Sequence, residues 1–217
     1  MKIVKSYSCY GGGKIVIDDE VINIIKKFCN DVELRVMKIG CWGTLTPVVY
    51  VEGGKMIIHN VIYGYKSNKH NQGLKVDIEI DDELKIGYIR QEGQGEMYSH
   101  GRKYGILFGV DDGHAFSVRV SSSCDSIESA LDFLKPAKVK KAEKKGLKVY
   151  RQGEWFFIEA KKEKNMVSRG QHIVEKTEQG FVIKHPQHKE LYLQGYNWEM
   201  VHNKQQSGYR GKRFSLD

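Results

Sequence analysis

From Leu74 to Ile80 apolar and charged residues alternate without a break. Leu74, Val76, Ile78 and Ile80 fall on one side, and Lys75, Asp77 and Glu79 on the other. A period of two places successive side chains on opposite faces of an extended chain. Such a run buries its apolar side as a strand of a sheet with one wet face, the usual state of antiparallel sheets. A helix would scatter the same residues around its axis.

The surrounding segments repeat this theme. Met1–Cys9, Ile15–Ile17, Val32–Met37, Leu45–Val51, Met56–Ile62, Leu84–Arg90, Tyr104–Val110 and Ala115–Val120 are short runs rich in β-branched and aromatic residues. Glu52-Gly53-Gly54-Lys55 and Asp112-Gly113 carry the residues that tolerate the positive φ of tight hairpin turns. Gly11–Gly13 reads as a further turn, and Gly64–Gly73 (GYKSNKHNQG) as a polar loop.

Three segments read as helices. Asp18 or Asp19 caps the first, which runs to about Asn30 with Val21, Ile22, Ile25, Phe28 and Cys29 at helical spacing. Asp125 and Glu128 fit a capping box ahead of Ile127, Ala130, Leu131 and Leu134. Pro136 fits the first turn of the third, which carries Lys138, Lys140, Lys141, Lys144 and Lys145 and stops at Gly146.

Beyond it Leu147–Tyr150 and Trp155–Ile158 flank the turn Arg151-Gln152-Gly153-Glu154. The charged loop Lys161–Gly170 leads to His172–Val174, Phe181–Lys184, Leu191–Leu193 and Trp198–Val201. The expected fold is therefore α+β, mostly antiparallel sheet with two or three helices. Residues 1–134 form an N-terminal α+β domain, 135–146 a basic helical connector, 147–203 a small basic β unit and 204–217 a flexible basic tail.

Charge separates these parts. Residues 1–134 hold 16 Lys+Arg against 18 Asp+Glu, whereas residues 135–217 hold 19 against 9. The excess suggests a polyanionic partner for the C-terminal part, RNA more than DNA, though a lysine-rich helix and tail also serve solubility alone. A protein partner is the alternative, and the oligomeric state stays open. Apolar runs fall far below the ~18 residues of a membrane span, and the first residues lack the apolar core of a leader. The expectation is a cytoplasmic protein with no membrane partner. Cys9, Cys29, Cys41 and Cys124 form no CxxC pair and match no zinc finger, so they read as free, buried thiols.

The C-terminal elements resemble those of an uncharacterised prokaryotic and phage family. The resemblance rests on Leu134–Pro136 before a helix, RQGEWFFI (Arg151–Ile158), His172 after a charged loop, HPQH (His185–His188) and NWEMVHN (Asn197–Asn203). That family usually shows Trp-His where this chain has Trp198-Glu199. The resemblance points to a site and supplies no chemistry.

The favoured reading is a nucleic-acid-binding protein with processing activity in the C-terminal β unit, and a metal-dependent hydrolase is a further alternative. A metal-independent nuclease would use His172, His188, Glu199 and Arg151: histidine for both proton roles, a cation for the charge developing on phosphate. Nucleic-acid binding would use Lys184, Lys189 and Arg169, the stacking surfaces of Tyr192 and Tyr196, and Lys204, Arg210, Lys212 and Arg213 of the tail. Trp155, Phe157 and Phe181 read as core instead. A His/Glu metal-dependent hydrolase would draw on His172, His185, His188, His202 and Glu199. HPQH is much weaker than HExxH on a helix, because residues three apart on a strand face opposite ways. The sequence therefore assigns no metal ligands and no cofactor. Asp18-Asp19, Asp81-Asp82 and Asp111-Asp112 read as cap and turn residues. Among the remaining motifs, no phosphate loop, GxSxG or dinucleotide fingerprint is present.

Overall fold

The computed structural model describes residues 1–10, 13–39, 48–63, 73–94, 103–162, 164, 166–186 and 188–203. The basic residues Lys204, Arg210, Lys212 and Arg213, most of the Gly64–Gly73 loop and Cys41 lie outside them. The described chain is mostly antiparallel β-sheet with three helices of 10, 8 and 7 residues. Two compact units are present, one of Met1–Val110 with His114–Asp132, the other of Asp111–Gly113 with Phe133–Gln205.

In the first unit the order is β1 (Lys2–Tyr10), β2 (Lys14–Ile15), α1 (Asp19–Phe28), β3 (Val32–Ile39), β4 (Val49–Glu52), β5 (Lys55–Tyr63), β6 (Gly73–Asp81), β7 (Ile86–Gln94), β8 (Lys103–Asp111), β9 (His114–Val120) and α2 (Ile127–Leu134). One sheet runs β1-β6-β7-β8-β9. The alternating run is its strand β6, and Leu74, Val76, Ile78 and Ile80 are all buried. Each such side chain contributes about 1.5–3 kcal/mol relative to exposure. Glu79 departs from the alternation. It is only 7% exposed, accepts a hydrogen bond from the Ile127 amide at 3.0 Å and pairs with Lys2.

The second sheet centres on β5. Strand β3 lies along one edge, from Val32↔Met56 to Ile39↔Tyr63, and this pairing is parallel. Strands β4 and β2 share the other edge. The Gly53-Gly54 turn joins β4 and β5 with φ of 58° and 80°. Helix α1 is capped by Asp18, whose carboxylate accepts from the Val21 amide, and it buries Val21, Ile22, Ile24, Ile25 and Phe28 in a core shared with both sheets. The cap of α2 is Ser126 rather than Asp125. Its hydroxyl accepts from the Ser129 amide at 3.2 Å while the Ser129 hydroxyl accepts from the Ser126 amide at 3.0 Å, a capping box displaced by one residue and built from two serines. Cys29 and Cys124 are buried free thiols.

The second unit contains α3 (Ala137–Glu143), β10 (Val149–Gln152), β11 (Trp155–Glu159), β12 (Ile173–Thr177), β13 (Gly180–His185), β14 (His188–Gln194) and β15 (Trp198–His202). Pro136 sits at the N-cap of α3, one position ahead of the helix. The sheets are β10-β11-β15 and β12-β13-β14. Strand β11 is apolar on both faces because both are covered. Phe156 and Ile158 pack with Val139 and Ala142 of α3. Phe157 packs with Phe181, Ile183, Leu193 and Trp198. These two faces set the positions of everything described next. Among the described residues no helix is long and apolar enough to cross a membrane.

Candidate metal centre

The hairpin of β13 and β14 supplies two imidazoles. A register shift between Ile183 and His185 lets His185 and His188 become direct register partners. Opposed residues of an antiparallel pair project to the same face, with Cβ atoms about 4.5–5.5 Å apart. The i, i+3 objection to HPQH holds for a continuous strand, but this strand turns back within the motif. The His185 and His188 ring centroids lie 4.6 Å apart.

His172 supplies the third ring. It is held just before β12 by a two-bond bridge, Arg169 N to His172 O at 2.9 Å and His172 N to Arg169 O at 3.0 Å. Its ring centroid is 4.4 Å from that of His185 and 6.1 Å from that of His188. One nitrogen from each of the three rings lies within 4.8 Å of the others.

The environment of these rings is directional. His172 is 1% exposed, and its Nε2 is buried without a hydrogen-bond partner. Behind it, Nδ1 lies 3.8 Å from Glu154 Oε1. On His188, Nδ1 lies 3.2 Å from Asp112 Oδ2, which also accepts from the Lys189 amide at 3.2 Å. Gly153 lies against the opposite nitrogen of that ring: a Cβ there would come within 2.8 Å of His188 Nε2. Gly153 also has a φ of 56°, which its turn requires and which glycine supplies at no steric cost. The buried Gln152 side chain fixes the same corner by donating to Lys189 O at 2.5 Å. Thus two imidazoles have a carboxylate on the Nδ1 side, and His172 keeps an unpartnered Nε2.

Burial pushes the His172 pKa below the ordinary histidine value, against the upward pull of Glu154, and any charge on His185 or His188 lowers it further. His172 is therefore held as the neutral imidazole, the form that ligates metals.

The proposed nuclease set is only partly brought together. His172 and His188 converge. Glu199 does not join them. It is the register partner of Ile158, on the face of β11 and β15 that packs on α3, and its carboxylate binds Lys138 at 2.5 Å. Arg151 donates from Nε to Gly153 O at 2.7 Å, and its Nη2 lies 3.8 Å from Asp111, at the border of the cluster rather than within it. His202 packs edge-on against Trp155 and has Nδ1 3.0 Å from Asn203 O.

Of the nine residues expected to contact nucleic acid, five are described, and the side chains of three of these have partners. Lys184 pairs with Glu175 at 2.6 Å, and the Tyr192 hydroxyl donates to Glu190. Tyr196 is half-buried, donates to Thr177 O and Glu178 O, and packs edge-on against Phe181. Lys189 and Arg169 are exposed. Phe157 and Phe181 are buried in the core, with Trp155 packed against it.

Glu154 and Asp112 were missed as site residues because each sits in a tight turn, where a carboxylate is locally favoured for other reasons. The signal that finds His185 is a pair of histidines flanking a two-residue hairpin loop. Comparison with known proteins leaves the centre to be read from its own geometry: no family model, no curated protein and no solved structure matches the chain.

Proposed function

We propose that the chain is a metal-dependent hydrolase whose centre is a late first-row divalent ion, zinc foremost, held by His172, His185 and His188. The observation that carries this reading is the unpartnered, fully buried Nε2 of His172 beside two further imidazoles. A buried polar atom left without a partner costs about 1–3 kcal/mol. A bound cation removes that cost.

The donor set fits such an ion. Imidazole nitrogens suit zinc, copper, nickel and iron, whereas calcium and magnesium prefer oxygen. Two nitrogens on a tetrahedral zinc with bonds of about 2.0–2.1 Å lie about 3.4 Å apart. Nitrogens already within 4.8 Å of one another reach that separation by small ring rotations. Structural zinc sites are commonly closed by four protein ligands. Three histidines leave a fourth position for water, whose pKa such an ion lowers to about 7.

The test is metal content followed by activity. Purified protein stripped by chelator and reloaded is expected to take up one equivalent of Zn²⁺ or Co²⁺. The His172→Ala and His185→Ala proteins should take up none at micromolar metal. Loaded protein should hydrolyse an activated phosphodiester or ester faster than stripped protein. Failure of the wild-type chain to bind either ion ends this reading. Binding without any hydrolysis keeps the centre and removes the enzyme.

A further inference from the structure

Asp112 and Glu154 are not among the three nitrogen ligands, yet each places a carboxylate near the Nδ1 of one of these rings. We infer that Asp112 and Glu154 are positioning residues of the centre, acting on the metal through His188 and His172. This rests on the metal-centre reading above.

The argument for Asp112 starts from its backbone. It has a φ of 48°, the left-handed region that side chains other than glycine, asparagine and aspartate avoid. The turn Asp112-Gly113 thereby presents a carboxylate whose Oδ2 meets two donors, His188 Nδ1 and the Lys189 amide, both at 3.2 Å. An acceptor at Nδ1 fixes the tautomer with its proton there and leaves the lone pair on Nε2. It also makes that lone pair more basic, the arrangement that recurs behind metal-bound histidines. Gly153 contributes the space, since no Cβ stands against His188 Nε2.

Glu154 acts from farther off, by charge rather than by a hydrogen bond. Its Oε1 lies 3.8 Å from His172 Nδ1, the Gln152 backbone supplies that ring's hydrogen bond, and Nε2 is the unpartnered atom. The two turns are unrelated in sequence, yet each delivers a carboxylate to the Nδ1 side of a different histidine. The two nearby carboxylates also balance the charge of a divalent ion, which suits a buried site.

Asparagine and glutamine separate this role from a structural one. Asp112→Asn keeps the left-handed backbone and an oxygen acceptor for the Lys189 amide, and removes only the charge. Glu154→Gln does the same in its turn. Co²⁺ titration of the stripped proteins, followed by the visible d–d bands, is expected to show roughly 10–100-fold weaker binding in each variant. Band positions should shift, and the melting of the stripped proteins should stay as in wild type. Wild-type affinity and bands in both variants would overturn the inference while leaving the centre standing. A loss of stripped-protein stability that accounts for the weaker binding would assign the carboxylates to their turns and overturn it too. Absence of Co²⁺ binding by the wild-type protein would instead remove the reading on which the inference rests.

Discussion

Glu79 in the first unit and His172 in the second are both buried polar side chains, and the fold treats them in opposite ways. Glu79 stands on the charged side of an alternating strand, where exposure is expected. The start of α2 covers it and supplies the Ile127 amide, while Lys2 supplies the countercharge. The chain itself answers that carboxylate. His172 is covered more completely, but its Nε2 meets no donor or acceptor, and two more imidazoles lie beside the ring. A buried group whose partners come with the fold is structural. Gln152 Oε1 and Asn203 Oδ1 are also buried without a hydrogen-bond partner, so the unanswered Nε2 points to something from outside only together with the two imidazoles beside it.

The sharpest way to break this contrast is to replace both residues with leucine. His172→Leu should abolish metal uptake, a larger effect than the roughly 10–100-fold that outer-shell changes cost. Calorimetric titration checks it, and retained stoichiometric binding would sink the contrast. Glu79→Leu comes next. It strands the Ile127 amide, and chemical denaturation should show a loss of about 1–3 kcal/mol. An unchanged midpoint would mean that water reaches the amide and that Glu79 is not structural. Smaller still is His172→Leu measured on metal-free protein. Removing the unsatisfied Nε2 offsets the loss of the ring's hydrogen bond to the Gln152 backbone, so stability should change by no more than about 1 kcal/mol. Glu154, which keeps some exposure, retains access to water.

The smallest effect is in pH. Burial lowers the His172 pKa in the folded chain, so below about 6.5 the unfolded state binds more protons there than the folded state. Stability associated with His172 is therefore present above pH 6.5 and falls as pH drops toward the depressed value. Melting of metal-free protein between pH 7.5 and 5 should decline more steeply in wild type than in His172→Leu. Equal slopes would place the titration elsewhere.

Much of the fold was legible. The Leu74–Ile80 alternation, the Gly53-Gly54 and Asp112-Gly113 turns and the Asp18 cap are local chemistry, so a window of a few residues contains the whole reason for them. The parallel pairing of β3 with β5 was not legible, because it depends on which strand the chain returns to after α1 and β4. The displaced cap of α2 shows a subtler limit. Asp125 and Ser126 both suit the role, and the choice between them goes with the engagement of the Ile127 amide by Glu79. For the site, His172 and His188 were found as reactive residue types. Glu199 was placed with them because it falls on a neighbouring expected strand, but strand register turns it to the α3 face and hands it to Lys138. Asp112 lies far from His188 in sequence, and no spacing rule connects them.

The register shift that ends β13 has one more consequence. It makes His185 and His188 a single two-toothed claw, whose teeth are already set by backbone pairing before any ion arrives. His172 would close on such an ion from a separate segment. A guest held this way would not depart in one motion: one element would let go before the other, leaving the ion partly held and open to exchange with an incoming chelator. Release would then depend on the competitor's concentration as well as on its affinity.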